Sequence, residues 1–457
     1  MRKRVNWLSL ITTFLFAGVS ASCGSAGDSR HGATASPAAA AAQRIDPAQA
    51  GARTLEVWTA ESSTRLELVR RRAAQFTARY PNIRVTLTVR DFGSYPAQLK
   101  LALTSDTAPD VAIGNIGWSL DGPLIKAGLL RNLDPWAAIY GWNRRYSAIS
   151  QQQLRFTADA RVFGRGSLYG VPYAADLIGW FYNVGKLKAL KLEPPRTFGE
   201  LEQAFRAAKA AGEVPMMLGN RLQWPGLHVF YTINDNLGAP GEISALVFGD
   251  RNRSWRASAF VASAARLASW QASGYFEPGA NGMSPADANA RFIKGSGVFL
   301  PAGSWNAAEL SAGMRDNVGF FATPPNTAGD ARRATGSFGY GWHITSASAQ
   351  ADLAAAFIDF MTNEDWAREL FAAGDIAPFV PAGYVPQMPT KVTADIYAAW
   401  QDVLTHDTLL PYLDSSAPNG GEVIFPVLQS ILAGEQDPAQ GMADIEAARQ
   451  KFLATLQ

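Results

Sequence analysis

The chain has 457 residues, 47% of them hydrophobic and 11% aromatic, and its 41 basic and 39 acidic side chains leave a net charge of +2. That near-neutral balance, with no Lys/Arg run, argues against nucleic acid or any other polyanionic partner. The globular part exceeds one comfortable core and points to two lobes, and a lone cysteine, Cys23, rules out a disulfide within the chain.

The first element is a basic start, Met1-Arg2-Lys3-Arg4, followed by an apolar run over 7–19 that is too short to span a bilayer and ends in Ser20-Ala21-Ser22. It reads as an export signal, residues 1–22. Residues 24–52, rich in Ala, Gly, Ser and Pro, have too little apolar bulk for a core and form a flexible tether spanning on the order of 30 Å. The folded part begins near Arg53.

Leu55-Glu56-Val57-Trp58 predicts a strand, and a helix starts at Thr64, carries Leu66, Val69, Ala73 and Phe76 on one face, and stops at Tyr80-Pro81. Strict alternation over 83–89 predicts a half-buried strand, so the strand, helix, strand order implies a parallel sheet. A helix over 97–103, a buried strand over 111–113 and a helix over 120–127 complete a doubly wound α/β lobe. After a strand over 177–182 the order repeats, with helices over 198–211, 227–236 and 257–273 and a strand over 297–300. A strand over 342–345 and helices over 349–362, 364–373, 392–405 and 445–456 follow. The fold class is α/β throughout, and no short fixed period suggests a solenoid or propeller.

Small residues directly before Cys23 resemble the lipobox of bacterial lipoproteins, in which the signal is cut before the cysteine and its thiol carries a diacylglycerol; Ser20 stands where that motif usually has leucine. Phe76-Thr77-Ala78-Arg79-Tyr80-Pro81-Asn82-Ile83-Arg84-Val85, Ala108-Pro109-Asp110-Val111 and Ala127-Gly128-Leu129-Leu130 resemble the N-terminal lobe of the family 1 extracellular solute-binding proteins of ABC importers. Leu168-Tyr169-Gly170-Val171-Pro172-Tyr173, Phe181-Tyr182-Asn183, Phe292-Ile293-Lys294-Gly295, Gly303-Ser304-Trp305 and Ala355-Ala356-Phe357-Ile358-Asp359-Phe360 follow in that family's order, so the resemblance covers essentially 53–457. It implies a two-lobed fold of the type II periplasmic-binding-protein class, similar to the maltose-binding protein, with a hinged cleft. The family's connectivity places one lobe at 53–174 with 336–410 and the other at 175–335 with 411–457.

Ligands of open α/β sheets sit beyond the carboxyl ends of strands, which directs attention to Trp58 and Glu61 after the first strand. A carboxylate accepts two sugar hydroxyls and an indole covers the apolar face of a pyranose, although Trp58 also suits a core and Glu61 a helix start. Asn115 and Asp121 follow the strand over 111–113 among glycines, with Asp121 equally suited to begin a helix. By the resemblance, Tyr173 and Asp176 lie at the first crossover, where Asp176 is either a sugar ligand or half of a hinge salt bridge, and Trp224 lies near an aromatic platform of the second lobe. Trp305 starts a helix whose free N–H groups add donors beside its ring. Tyr340 sits in the glycine-spaced run 336–342, and Tyr412, Asp414, Gly420 and Gly421 lie at the third crossover.

Four scattered histidines offer no metal cluster or nucleophile-base pair, and no phosphate loop or nucleophile elbow is present. No cofactor and no enzymatic activity are expected, although Glu61 and Asp176 could in principle form a glycosidase pair. The expected function is that of the substrate-binding component of an ABC importer, an extracytoplasmic monomer lipid-anchored at Cys23 that delivers an oligosaccharide or disaccharide to a membrane permease. Receptors for a glycerophosphodiester, polyamine or peptide are the alternatives, with Arg65 and Arg221 as the basic residues able to reach the cleft.

Overall fold

The computed structural model describes residues 41–338, 340–418 and 420–456; Cys23, the export segment and most of the tether lie outside them. Twelve strands occur among the described residues: β1 Arg53–Thr59, β2 Ile83–Val89, β3 Val111–Ile113, β4 Arg155–Phe156, β5 Ser167–Leu168, β6 Val171–Pro172, β7 Asp176–Asn183, β8 Phe299–Gly303, β9 Val318–Phe321, β10 Ala334–Ser337, β11 Gly341–Ile344 and β12 Leu409–Leu410. They form two five-stranded sheets, one ordered β2-β1-β3-β11-β6 and the other β12-β10-β7-β8 with β9 also on β7, plus the small β4-β5 pair.

The first sheet follows from residue pattern. Leu55, Val57 and Thr59 alternate along β1 and are fully buried, and β1 pairs in parallel with β2 from Arg53↔Ile83 to Thr59↔Val89 and with β3 at Val57↔Val111. The intervening helix Ser63–Arg79 buries Leu68, Val69, Ala73 and Phe76 at helical spacing and ends at Tyr80 because Pro81 has no N–H to continue it. Phe76 meets the edges of Phe357 and Phe360 with centroids 5.2 and 5.3 Å away, and burying such a ring contributes about 1.5–3 kcal/mol. The expected wholly parallel arrangement holds for β1, β2 and β3 only, since β11 joins antiparallel to both β3 and β6.

In the second sheet every residue of β7 is buried, as its continuous apolar run requires of a central strand. On one side β7 pairs antiparallel with β8 from Ile178↔Gly303 to Tyr182↔Phe299; β10 pairs with Asp176 and Leu177, and β9 with the Trp180–Asn183 half.

The chain passes between the sheets at 173–175, between β6 and β7, and again between β10 and β11, where Phe338 and Tyr340 lie. A third passage follows the helix Glu364–Ala372, where the Ala175 N–H donates to the Ile376 carbonyl at 2.9 Å. Beyond it, Asp395 of the helix Lys391–Thr405 accepts the Phe320 N–H of β9 at 3.1 Å, and β12 pairs with β10. Residues 391–410 therefore go with the second sheet, not with the first as the resemblance implied. The amphipathic spacing of that helix marks a buried face without saying which sheet it covers. Among the described residues no helix is long and apolar enough to cross a membrane.

Candidate functional site

The three passages converge on one cluster of side chains. Glu61 lies two residues past the end of β1, just before the helix Ser63–Arg79, and Arg65 is one turn further on; both are buried, although charged groups are rarely so. Tyr173, fully buried after β6, donates its hydroxyl to the Glu61 carboxylate. Asp176, which opens β7, accepts from Arg65 Nη2 at 2.9 Å. Asp375, at the third passage, takes Arg65 in a fork, Nε at 2.7 Å and Nη2 at 2.8 Å, while Arg65 Nη1 stands 3.9 Å from Glu61. One guanidinium thus serves three carboxylates, two of them, Asp375 and Asp176, through two hydrogen bonds each, which is the geometry arginine provides and lysine cannot.

Burial pushes the Glu61 and Asp176 carboxyls above the usual range, and Arg65 pulls both back down. Burial likewise works against the Arg65 charge, but the fields of Asp176, Asp375 and Glu61 outweigh it and hold the guanidinium well above its ordinary value.

Next to this cluster lies an aromatic one. Tyr340, in the second passage, is within the field of Glu61, Asp176, Arg65 and Asp414, and Tyr412 within that of Asp176, Tyr340, Asp414 and Arg65. Tyr231 donates its hydroxyl to Asp414 Oδ1 at 2.6 Å and stands 5.6 Å from the Tyr412 ring. Tyr231 belongs to the buried helix Trp224–Leu237, on which Trp224, His228 and Tyr231 share one face at positions i, i+4 and i+7. The His228 ring lies 4.9 Å from Trp224, 5.5 Å from Trp305 and 6.2 Å from Tyr231. Trp305 follows β8 and is 39% exposed, its indole folded over Gly303 so closely that any side chain at Gly303 would collide with it.

Glu61, Tyr173, Asp176 and Tyr340 thus lie by the passages between the sheets, with Asp176 engaged as the partner of Arg65, while Asp414 is held by Tyr231 and Trp224 and Trp305 flank His228. Trp58 is half-buried at the end of β1 with the Arg90 guanidinium 4.7 Å over its ring, on the same rim as exposed Phe92, which lies 5.6 Å from Tyr340. Asn115 is half-buried, and its side chain makes no hydrogen bond to the described protein. Asp121 turns inward: it is 1% exposed, accepts the Asn115 N–H at 2.9 Å and faces His343 Nε2 at 3.4 Å. Glycines at 114, 170 and 341 give this pair its room, since a side chain at Gly114 would strike both partners. The sequence alone did not single out His228, Tyr231, Phe92 or Asp375. The i, i+4, i+7 repeat from Trp224 carried the signal for the first two. Among the described residues no group of three His, Cys, Asp or Glu side chains could hold a metal ion.

Two sheets exchanging the chain three times define a two-lobed fold, with aromatic rings and carboxylates near the exchanges. The model of the bacterial extracellular solute-binding protein family matches residues 60–368, and the chain belongs to that family. No curated protein matches it in sequence. Among solved structures, a chitin oligosaccharide binding protein superposes with a TM-score of 0.76 at 20% identity, covering 88% of this chain and 99% of that one. RafE in complex with raffinose gives 0.70 at 18% identity, and the GacH receptor of Streptomyces glaucescens GLA.O, solved unliganded and with acarbose, gives 0.71 at 19%; each covers 88% of this chain and 99% of the other. At these identities the likeness is one of fold.

Proposed function

We propose that the chain is the receptor of an ABC importer for a sugar of two or more rings, held in the interlobe cleft and presented to the permease. One observation carries this reading: phenol rings of both lobes bond carboxylates near the passages, Tyr173 to Glu61 and Tyr231 to Asp414, while the Trp224 and Trp305 indoles flank His228 next to Tyr231, a pairing of rings and carboxylates that suits a pyranose face and its hydroxyls. Similar structures named for chitin oligosaccharide, raffinose and acarbose support it. A phosphodiester calls for a free basic group, whereas Arg65, the basic residue within the carboxylate cluster, is engaged by three acids. Solute bridging the lobes stabilises the closed form in proportion to its preference for that form.

Thermal shift and calorimetry on the mature protein, against neutral oligosaccharides, glycerophosphodiesters and spermidine, test this reading. At a concentration about a hundred times Kd, a cognate sugar adds about 2.7 kcal/mol of stability. Stabilisation by a phosphodiester or spermidine alone would overturn the sugar assignment.

We further place the mature chain outside the cytoplasm as a lipid-anchored monomer, with Cys23 acylated and residues 24–41 giving it reach, since 42–52, expected to belong to the tether, pack on the folded body, where Pro47 is buried and its carbonyl accepts the Asn82 side chain at 2.8 Å. Cells fed a labelled fatty acid should yield labelled wild-type protein and unlabelled Cys23→Ala. Equal labelling of the two would remove the anchor and leave the receptor.

A further inference from the structure

The cleft carries an excess of negative charge. Glu61, Asp176, Asp375 and Asp414 gather there, and among the described residues Arg65 is the one cation within ion-pair distance of any of them. It serves the first three and leaves Asp414 without a positive partner. The Asp414 carboxyl takes the Tyr231 hydroxyl at 2.6 Å and is raised by burial, with no cation pulling it back.

A second, independent feature lies beside it. His228 is 7% exposed, packed between Trp224, Trp305 and Tyr231, and among the described residues its Nδ1 has no hydrogen-bond partner. Burial drives its pKa down to about 3, so the ring is neutral and the tautomer protonated at Nε2 offers Nδ1 as an acceptor. Leaving a buried polar atom without a partner is unfavourable, so a donor from outside the chain is the natural complement. The Trp224, Trp305 and Tyr231 rings stand around it, with Tyr412 beyond Tyr231 at 5.6 Å, and aromatic faces attract a cation.

Resting on the reading that the solute is a sugar, we infer that this sugar carries a basic nitrogen, an amino or alkylamino group on a pyranose ring, seated against Asp414 and within the Trp224, His228, Tyr231 and Trp305 cage. A neutral hydroxyl supplies a hydrogen bond there but leaves the carboxylate charge uncompensated; an ammonium supplies both, together with attraction to the rings.

Calorimetry on the mature protein with matched oligosaccharides that differ only at C2, bearing amino, acetamido or hydroxyl, tests the assignment. The amino member should bind at least about tenfold more tightly than either counterpart. Asp414→Asn should abolish most of that preference, and Tyr231→Phe, which keeps the ring and drops the hydroxyl held by Asp414, should weaken it. Melting temperatures of both variants identify any loss that comes from misfolding. Equal or tighter binding of the hydroxyl or acetamido members overturns the basic nitrogen while the sugar receptor stands, and retention of the preference in both folded variants overturns its placement at Asp414. Failure of every sugar, charged or neutral, removes the receptor reading and this inference with it.

Discussion

Trp305→Ala should lower affinity for the cognate sugar roughly 30- to 100-fold, about 2–2.7 kcal/mol, while leaving the melting temperature almost unchanged. The two halves of that expectation have separate causes. The indole is 39% exposed, and a surface ring at the edge of a core costs little to remove from the fold. Its orientation, however, is fixed on both sides, by His228 at 5.5 Å in an edge contact and by Gly303 beneath it, so the free protein already presents the face that a pyranose would cover. Preorganised aromatic area of this kind concentrates binding energy, because little rotamer freedom is lost on association. Calorimetry and a melting curve on the same sample decide the matter. Unaltered affinity would take Trp305 out of the site, and a large fall in melting temperature would make it a structural residue. Trp305→Phe should recover part of the loss, since a smaller ring still stacks.

How far the sequence disclosed this arrangement depended on the range of the interactions. The strands Ile83–Val89 and Val111–Ile113 match their expected bounds residue for residue, because alternation and apolar runs are local consequences of burial. The strand Ala334–Ser337 went unread: its Ala-Thr-Gly-Ser sequence has no apolar pattern, and its place is fixed by pairing to β7 and by Asp235, whose carboxylate takes the Thr335 N–H at 2.9 Å and hydroxyl at 2.7 Å. The helix Pro438–Ala454 began earlier than its apolar spacing indicated, although Asp437 as N-cap with Pro438 at the first position is a local signal for that start. In the site, residues at strand ends and crossovers could be named from connectivity, whereas His228 and Tyr231 went unnamed because the helix starts at Trp224, three residues before its expected start. The ion cluster could not. Arg65 reaches Asp176 across 111 residues and Asp375 across 310, and nothing in local composition marks which of many acids will meet a given arginine.

That cluster gives the second large expectation. Arg65→Gln removes the common partner of three carboxylates, and breaking a buried ion pair on one side costs about 3–5 kcal/mol, because the remaining charge is left without compensation. At roughly 2 cal/mol/K of unfolding entropy per residue, a chain of this size should lose about 3–6 °C in Tm. The deficit should depend on pH in a defined direction. Glu61 and Asp176 are raised in the folded state even with Arg65 present, from ordinary values of 4.5 and 3.8, and without it they rise further. A carboxyl whose folded pKa exceeds its unfolded one stabilises the fold below the unfolded value, and that contribution is lost as pH climbs through the folded value. The variant should therefore fall furthest below wild type near pH 8 and approach it near about pH 5, where neutral carboxyls need no guanidinium. Asp375→Asn, which leaves Arg65 with Asp176 and Glu61, should cost much less and show little of this pH dependence. Melting curves of the three proteins across this range, read with sugar affinity at each pH, separate the alternatives. A pH-independent deficit, or one that deepens in acid, would mean that these carboxylates are not held by Arg65 in solution. A deficit of the expected sign accompanied by weakened sugar binding would tie the ion cluster, which joins the first lobe to two of the three passages, to the closing of the cleft.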